Sequence, residues 1–292
     1  MTRKPSPIFL SAQISVARTT NGKRLGRNGR KRIVFGWYGG KFNHLNWLLP
    51  LLPNCHHYVE PFGGSAAVLL NREPSPVETY NDIDGEVVNF FRVVRDKTED
   101  LIKSIAFTPF SREEFYRAIS ENGHQSDIER ARRFFVRARQ TRTGLAQTAT
   151  LGRWANCKNT SRAGMAGVVS RWLGSIEGMS EVALRLIRVQ VENRPAIDLI
   201  KLYDSPDTLF YCDPPYVHAS RGDSKAYGFE MDDEAHRQLA EVLGRCEGMV
   251  AVSGYRCDLM KDLYRGWRRH DPPAKYAHSI KKLRQEALWM NY

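Results

Sequence analysis

The chain has 292 residues, of which 42% are hydrophobic and 26% charged, and a formal net charge of +12. This is a globular composition, and the absence of any run of 18 or more apolar residues excludes a transmembrane helix. The positive excess favours a polyanionic partner, with nucleic acid foremost.

The charge is clustered. Residues 1–32 hold nine Lys/Arg and no acid, and residues 130–171 hold ten and again no acid. The five cysteines (Cys55, Cys157, Cys212, Cys246 and Cys257) include no CxxC pair, so they read as reduced thiols in a cytoplasmic protein with no structural zinc. Ile8-Phe9-Leu10 is too short for a secretory apolar region.

Residues 1–32 read as a flexible basic arm, either touching phosphates or acting as a solubilising tail. Ile33 to Lys41 ends in Gly39-Gly40-Lys41, where the glycines allow a close backbone approach to a ligand and Lys41 can reach a carboxylate or phosphate. Phe42 to Leu52 has helical apolar spacing, ended by Pro53. Strand His57–Glu60 then runs into the turn Pro61-Phe62-Gly63-Gly64-Ser65, and Ala66–Leu70 is expected to open a helix. Strand, glycine turn, helix is the phosphate or cofactor corner of a doubly wound sheet. Val77 to Asp84 is a second strand ending in acids. Asp82 is placed to hold ribose hydroxyls, while Asp84 is suited to cap the helix Gly85–Asp96.

Residues 105–185 break this rhythm. Ser111-x-x-Glu114 fits a capping box, and Ile128–Arg139 is a strongly basic helix. The loops around Gln140-Thr141-Arg142-Thr143-Gly144 and Leu151-Gly152-Arg153-Trp154, with Lys158, Arg162 and Arg171 beyond, mix groups suited to base edges and phosphates. The strand–helix alternation resumes with Arg188–Glu192, a helix from Pro195, strand Leu209–Cys212, and a helix reaching Leu243 that carries Gln238 and a surface His236. Strands Met249–Ser253, Tyr264–Asp271 and Ala287–Tyr292 follow. The whole reads as a mostly parallel α/β sheet with one insert.

The strand Leu209-Phe210-Tyr211-Cys212 ends abruptly in Asp213-Pro214-Pro215-Tyr216. Asp213 and the Pro214 carbonyl are two acceptors suited to the two hydrogens of an exocyclic amine on a flat ring, and Tyr216 can stack on that ring. Taken alone, the tetrapeptide also reads as a strand stopped by a Pro-Pro turn, with Cys212 a buried strand residue.

Asp-Pro-Pro-Tyr lies downstream of Gly-Gly-Lys, Glu-Pro-Phe-x-Gly and Asn-Asp-Ile-Asp. In this order the motifs resemble the DNA N6-adenine methyltransferases of the Dam/D12 type with the α-group motif order, over about residues 33–292. The resemblance implies a seven-stranded, mostly parallel methyltransferase sheet formed by 33–104 and 186–292, with a mainly helical target-recognition domain at 105–185. It implies S-adenosylmethionine as cofactor, contacted by Trp37, Tyr38, Gly39, Gly40, Lys41, Glu60, Pro61, Phe62, Gly64, Asp82, Ile83 and Asp213. Asp213, Pro214 and Tyr216 would form the adenine pocket. Contacts to double-stranded DNA are assigned to Arg137, Arg139, Gln140, Arg142, Thr143, Arg153, Trp154, Lys158 and Arg162. Two positions depart from the family pattern: Ala66 stands where a glycine is frequent, and Tyr38 where a small residue is common. The insert shows no obvious match to the family's DNA-reading hairpin.

The reaction implied is direct methyl transfer to N6 of an extruded adenine, without a metal or a covalent intermediate. N4-cytosine methylation is the nearest rival, although Ser-Pro-Pro-Tyr is commoner there. A DNA-binding homologue that has lost catalysis is a further alternative. Monomer and homodimer both stay open, as do an orphan role and a restriction endonuclease partner.

Overall fold

Strand β1 (His57–Glu60) lies at the centre of a seven-stranded sheet. It pairs in parallel with β2 (Val77–Asn81) on one side and with β6 (Thr208–Cys212) on the other. This arrangement is seen in a computed structural model that describes residues 31–120, 125–142, 146–220, 228–272 and 286–292. The basic arm up to residue 30 and Thr143 lie outside the described residues. Outward from β2 comes β5 (Gln190–Glu192). Outward from β6 come β7 (Met249–Tyr255), β9 (Glu286–Met290) and β8 (Arg268–His270), with β9 antiparallel to both of its neighbours. The remaining two strands, β3 (Ser161–Arg162) and β4 (Met165–Ala166), form a separate antiparallel hairpin.

The apolar run of β6 is explained by its position. A central strand of a parallel sheet is covered on both faces, so it is hydrophobic throughout rather than alternating. Leu209 and Tyr211 join one apolar cluster, while Phe210 and Cys212 join the other, as the two-residue period requires. Connections leave β1 toward β2 and leave β6 toward β7. The β1/β6 boundary is therefore the topological switch point, where a crevice opens beyond the carboxyl ends of the strands.

The stretch 105–185 is mainly helical. Helix α1 (Leu45–Leu48) and helix α2 (Gly85–Asp96) precede it. Helices α3 (Thr98–Ala106), α4 (Arg112–Ser120), α5 (Asp127–Gln140), α6 (Gly167–Glu177) and α7 (Met179–Leu186) run up to and through it. Asp84 caps α2 by accepting from Glu86 N, and Ser126 caps α5 by accepting from Glu129 N. Ser111 Oγ likewise accepts from Glu113 N, while Glu114 turns to Arg132. α5 packs on α2 through aromatic rings. Phe134 lies edge-on to Phe35, and Phe135 is stacked on Phe90 with centroids 5.9 Å apart. At the far end, Arg185 of α7 donates to Glu78 Oε1 of β2 at 2.7 Å and to Leu69 O at 2.8 Å, a buried pair that ties the insert's last helix to the sheet.

Several expectations change. Residues 66–70 form successive hydrogen-bonded turns instead of a helix, because the backbone enters them through left-handed conformations at Gly64 (φ 50°) and Ala66 (φ 53°). His236, expected on the surface of helix α9 (Asp233–Leu243), is buried. The sixth strand shortens to Arg268–His270, and the terminal strand begins at Glu286. The insert does contain a hairpin, β3–β4. Its two central residues, Ala163 (φ 52°) and Gly164 (φ 73°), both lie in the left-handed region. Two-residue strands and an Ala-Gly turn give no periodicity to read in the sequence.

Candidate active site

Every residue assigned to the cofactor from the sequence lines one cleft of about 360 Å³ at the β1/β6 switch point. Glu60 ends β1, Asp82 follows β2, and Asp213 follows β6, so three parallel strands deliver three carboxyl groups to one edge of the sheet. The glycine turn is forced by packing. A Cβ at Gly63 would stand 2.2 Å from the Tyr80 ring, and one at Gly64 would stand 2.7 Å from Trp37 Nε1. Tyr80 in turn donates its hydroxyl to Gly64 O.

Each carboxyl group is held differently. Asp82 Oδ2 accepts from Gly64 N at 2.8 Å and Oδ1 accepts from Asp84 N at 2.9 Å. Burial nevertheless raises its pKa to about 6, against the pull of those backbone donors. Glu60 accepts from Tyr58 Oη at 2.8 Å, and burial pushes it up to about 8. Asp213 is raised by burial, with Lys41 pulling it back.

Lys41 was expected to reach a carboxylate or phosphate, and the resemblance placed it on the cofactor; the group it meets is a carboxylate of this chain. Here the Lys41 side chain is 3% exposed and Nζ lies 2.7 and 2.8 Å from the two Asp213 oxygens and 3.5 Å from Glu286 Oε1, while it also donates to Gly39 O. Burial by itself would lower the Lys41 pKa, but Asp213 and Glu286 outweigh it and the net shift is upward. Lys41 is thus charged and stands between Asp213 and Glu286 beside the cleft.

Pro214 and Tyr216 are both buried, and neither lines the cleft. The Tyr216 ring lies edge-on to Tyr255 at 4.7 Å and under Lys41 Nζ at 4.8 Å, with its hydroxyl donating to Glu286. The expected open stacking platform is therefore not what this structure presents. The exposed aromatic in the cleft is Phe229, 48% accessible.

The residues assigned to DNA divide into two groups. Arg142, Lys158 and Arg162 are exposed, and Arg153 is partly so, on the loops and hairpin of the insert. Gln140 is 0% exposed: it donates to Pro109 O and accepts from Trp154 Nε1, so it braces the loop from inside instead of facing a partner. Arg137 donates inward to Ala118 O and lies 3.6 Å from Glu86. Arg139 donates to Arg171 O, and burial lowers its pKa to about 10.

Several cleft residues were not assigned from the sequence. Gln147 comes from the insert, and Pro195, Ala196 and Ile197 from the start of helix α8 (Ala196–Tyr203). Tyr211 and Phe229 to Met231 complete the wall, and Glu286 lies behind it. Tyr211 was readable as an inward strand residue; the others are brought in by crossovers that leave no local signal.

The family model for D12 class N6 adenine-specific DNA methyltransferases matches residues 37–278. The chain belongs to that class. Among curated relatives, this D12-class chain is 26% identical over 269 residues to the type II methyltransferase M1.LlaDCHI of Lactococcus lactis subsp. cremoris, covering 84% of this chain and 88% of the relative. It is 25% identical over 256 residues to the DNA adenine methylase of Vibrio cholerae, covering 81% and 86%. It is also 25% identical over 222 residues to a DNA N-6-adenine-methyltransferase of Escherichia phage P1, covering 73% of this chain but only 28% of that longer protein. Among the described residues no helix is long and apolar enough to cross a membrane.

Proposed function

We propose that this D12-class protein transfers a methyl group from S-adenosylmethionine to N6 of an adenine extruded from double-stranded DNA. The single observation that carries the reading is the delivery of Asp213, Asp82 and the Gly63-Gly64 turn to one cleft. The donor set fits the cofactor. A narrow, Cβ-intolerant turn allows the close approach of a nucleoside. Asp82, Asp213 and Glu230 outnumber Lys41 among the charged lining, while Glu60, pushed up to about 8, is mostly neutral near pH 7; the balance favours a cationic ligand. Asp82 would hold the ribose hydroxyls, and Trp37, Phe62 and Ile83 the apolar surfaces.

When bound, S-adenosylmethionine supplies a methyl group on a positively charged sulfur. The chain's own contribution is to position and polarise the acceptor. Asp213, and the Pro214 carbonyl once the buried corner at 214–216 repacks to open it to the cleft, would accept from the two amine hydrogens, which frees the nitrogen lone pair otherwise delocalised into the ring. With the donor bound, the nitrogen would take the methyl as the S–C bond breaks, the sulfur would leave as a neutral thioether, and the amine proton would pass by way of Asp213 to solvent. Catalysis is then orientation plus electrostatics. Extrusion of the base costs about a few kcal/mol, and repacking of Tyr216 out of its contact with Glu286 would make its ring available for stacking.

The exposed Arg142, Lys158 and Arg162, together with the β3–β4 hairpin, support a DNA face on the insert, which we assign as the target-recognition region. Phosphate contacts of this kind make affinity fall steeply with salt. The test incubates the protein with unmethylated duplex DNA and S-adenosylmethionine and analyses the digested nucleosides by mass spectrometry. N6-methyladenine is expected from wild type and none from Asp213→Ala. N4-methylcytosine would instead establish the rival reading, and no methylated nucleoside would establish a binding-only homologue.

A further inference from the structure

Among the described residues of 105–185, Gln147 alone lines the cleft. Its amide bridges two elements outside the insert. Nε2 donates to Asp84 Oδ2 at 2.7 Å, and Oε1 accepts from Gly228 N at 3.0 Å. The orientation is dictated by chemistry, since an ionised carboxylate only accepts and a peptide N–H only donates. The chain of bonds continues through Asp84 N to Asp82 Oδ1 and from Gly64 N to Asp82 Oδ2. One hydrogen-bonded path therefore runs from the cleft wall at Gly228, through the insert, to the ribose acid and the glycine turn. The fit at the wall is tight: a Cβ at Gly228 would come within 3.1 Å of Gln147 Cβ. Gln147 and Phe229 also form the partition between the cleft and a second cavity of about 520 Å³, which Arg130, Arg133 and Arg137 line.

Gln147 lies between Arg142 and Arg153, on a segment whose ends are joined by the Thr141–Trp154 bridge. Resting on the cofactor and DNA reading above, we propose that Gln147 is a positioning residue that couples the DNA-facing insert to the cofactor cleft. DNA engaged by Arg142 and Arg153 fixes the 146–150 segment. The Gln147 amide can keep both its bonds only with the 228–231 wall and Asp84 in place, so the cleft is ordered before the cofactor arrives. By linkage, the cofactor must tighten DNA binding by the same factor.

The test measures the dissociation constant of S-adenosylmethionine for the full chain, with and without saturating duplex plasmid lacking adenine methylation. It compares wild type, Gln147→Ala and Gln147→Glu. Gln147→Glu keeps the side-chain shape but, when ionised, cannot donate to Asp84. In wild type, DNA is expected to tighten cofactor binding by roughly 5-fold or more. In both variants that factor falls to about 1, while DNA affinity without cofactor stays near wild type; a merely structural role would lower that affinity instead. Retention of the wild-type factor in Gln147→Glu overturns the coupling, as does a wild type whose cofactor affinity ignores DNA. Failure of wild type to bind S-adenosylmethionine at all overturns the cofactor reading itself, and the coupling with it.

Discussion

Lys41 Nζ contacts both carboxylate oxygens of Asp213 across 172 residues of sequence, joining the loop before β1 to the end of β6. Lys41 is buried, Asp213 is 17% exposed at the cleft, and Glu286 stands 3.5 Å from the same nitrogen, so Lys41 holds together two acids that would otherwise repel. Removing one partner of a buried pair leaves an uncompensated charge and costs roughly 3–5 kcal/mol. Lys41→Met is expected to lose that much stability in urea unfolding. The double variant Lys41→Met/Asp213→Asn should recover part of it, because the stranded charge is gone. Simple additivity of the two single losses would refute this account of the pair.

The glycine turn makes a second prediction, because two positions three residues apart should differ sharply in what they tolerate. Gly63→Ala drives a methyl into the fully buried Tyr80 ring and should cost about 3 kcal/mol, with loss of cofactor binding. Ala66→Gly should stay within about 1 kcal/mol of wild type. Relief of the left-handed strain gains about 1–2 kcal/mol. Against it stand the buried methyl, worth about 0.8 kcal/mol, and the unfolded-state entropy of glycine, about 0.4–1 kcal/mol. Thermal melts of both variants decide the matter.

Glu60 gives the fold a pH dependence. Its pKa is raised from 4.5 to about 8, so the folded state binds the proton more tightly than the unfolded chain. The stability it contributes is complete below about 4.5 and is lost as pH rises toward 8. Asp82, raised from 3.8 to about 6, adds a fall at lower pH. Glu60→Gln keeps the acceptor for Tyr58 Oη. It is expected to flatten the stability profile between pH 6 and 8, by a few kcal/mol at the alkaline end, and to leave only the shallower fall due to Asp82 below pH 6. Urea midpoints measured across pH 4–9 check this; an unchanged slope above pH 6 would count against it.

Much of this site was legible in the sequence because its chemistry sits in contiguous motifs at strand ends. The apolar run before Asp213, the glycines after Glu60 and the acid after β2 are each local patterns. In a doubly wound sheet, strand ends converge on one edge whatever the intervening chain does. The D12 resemblance added adenine as the acceptor, which the motif chemistry alone left open.

What the tertiary structure decided lies in contacts between residues far apart in sequence. Glu286 stands behind the Asp-Pro-Pro-Tyr corner only because β9 inserts antiparallel between β7 and β8. That contact turns Tyr216 inward and gives Lys41 a second acid. The same distinction holds along α5, whose arginines read as one basic face. Packing of Phe134 and Phe135 against α2 sets the helix rotation, and it directs Arg130 and Arg137 to Glu86. A charge run states how many cations a segment carries. Which of them meet an acid inside the fold, and which remain to meet DNA, depends on how the helix is turned by its apolar side.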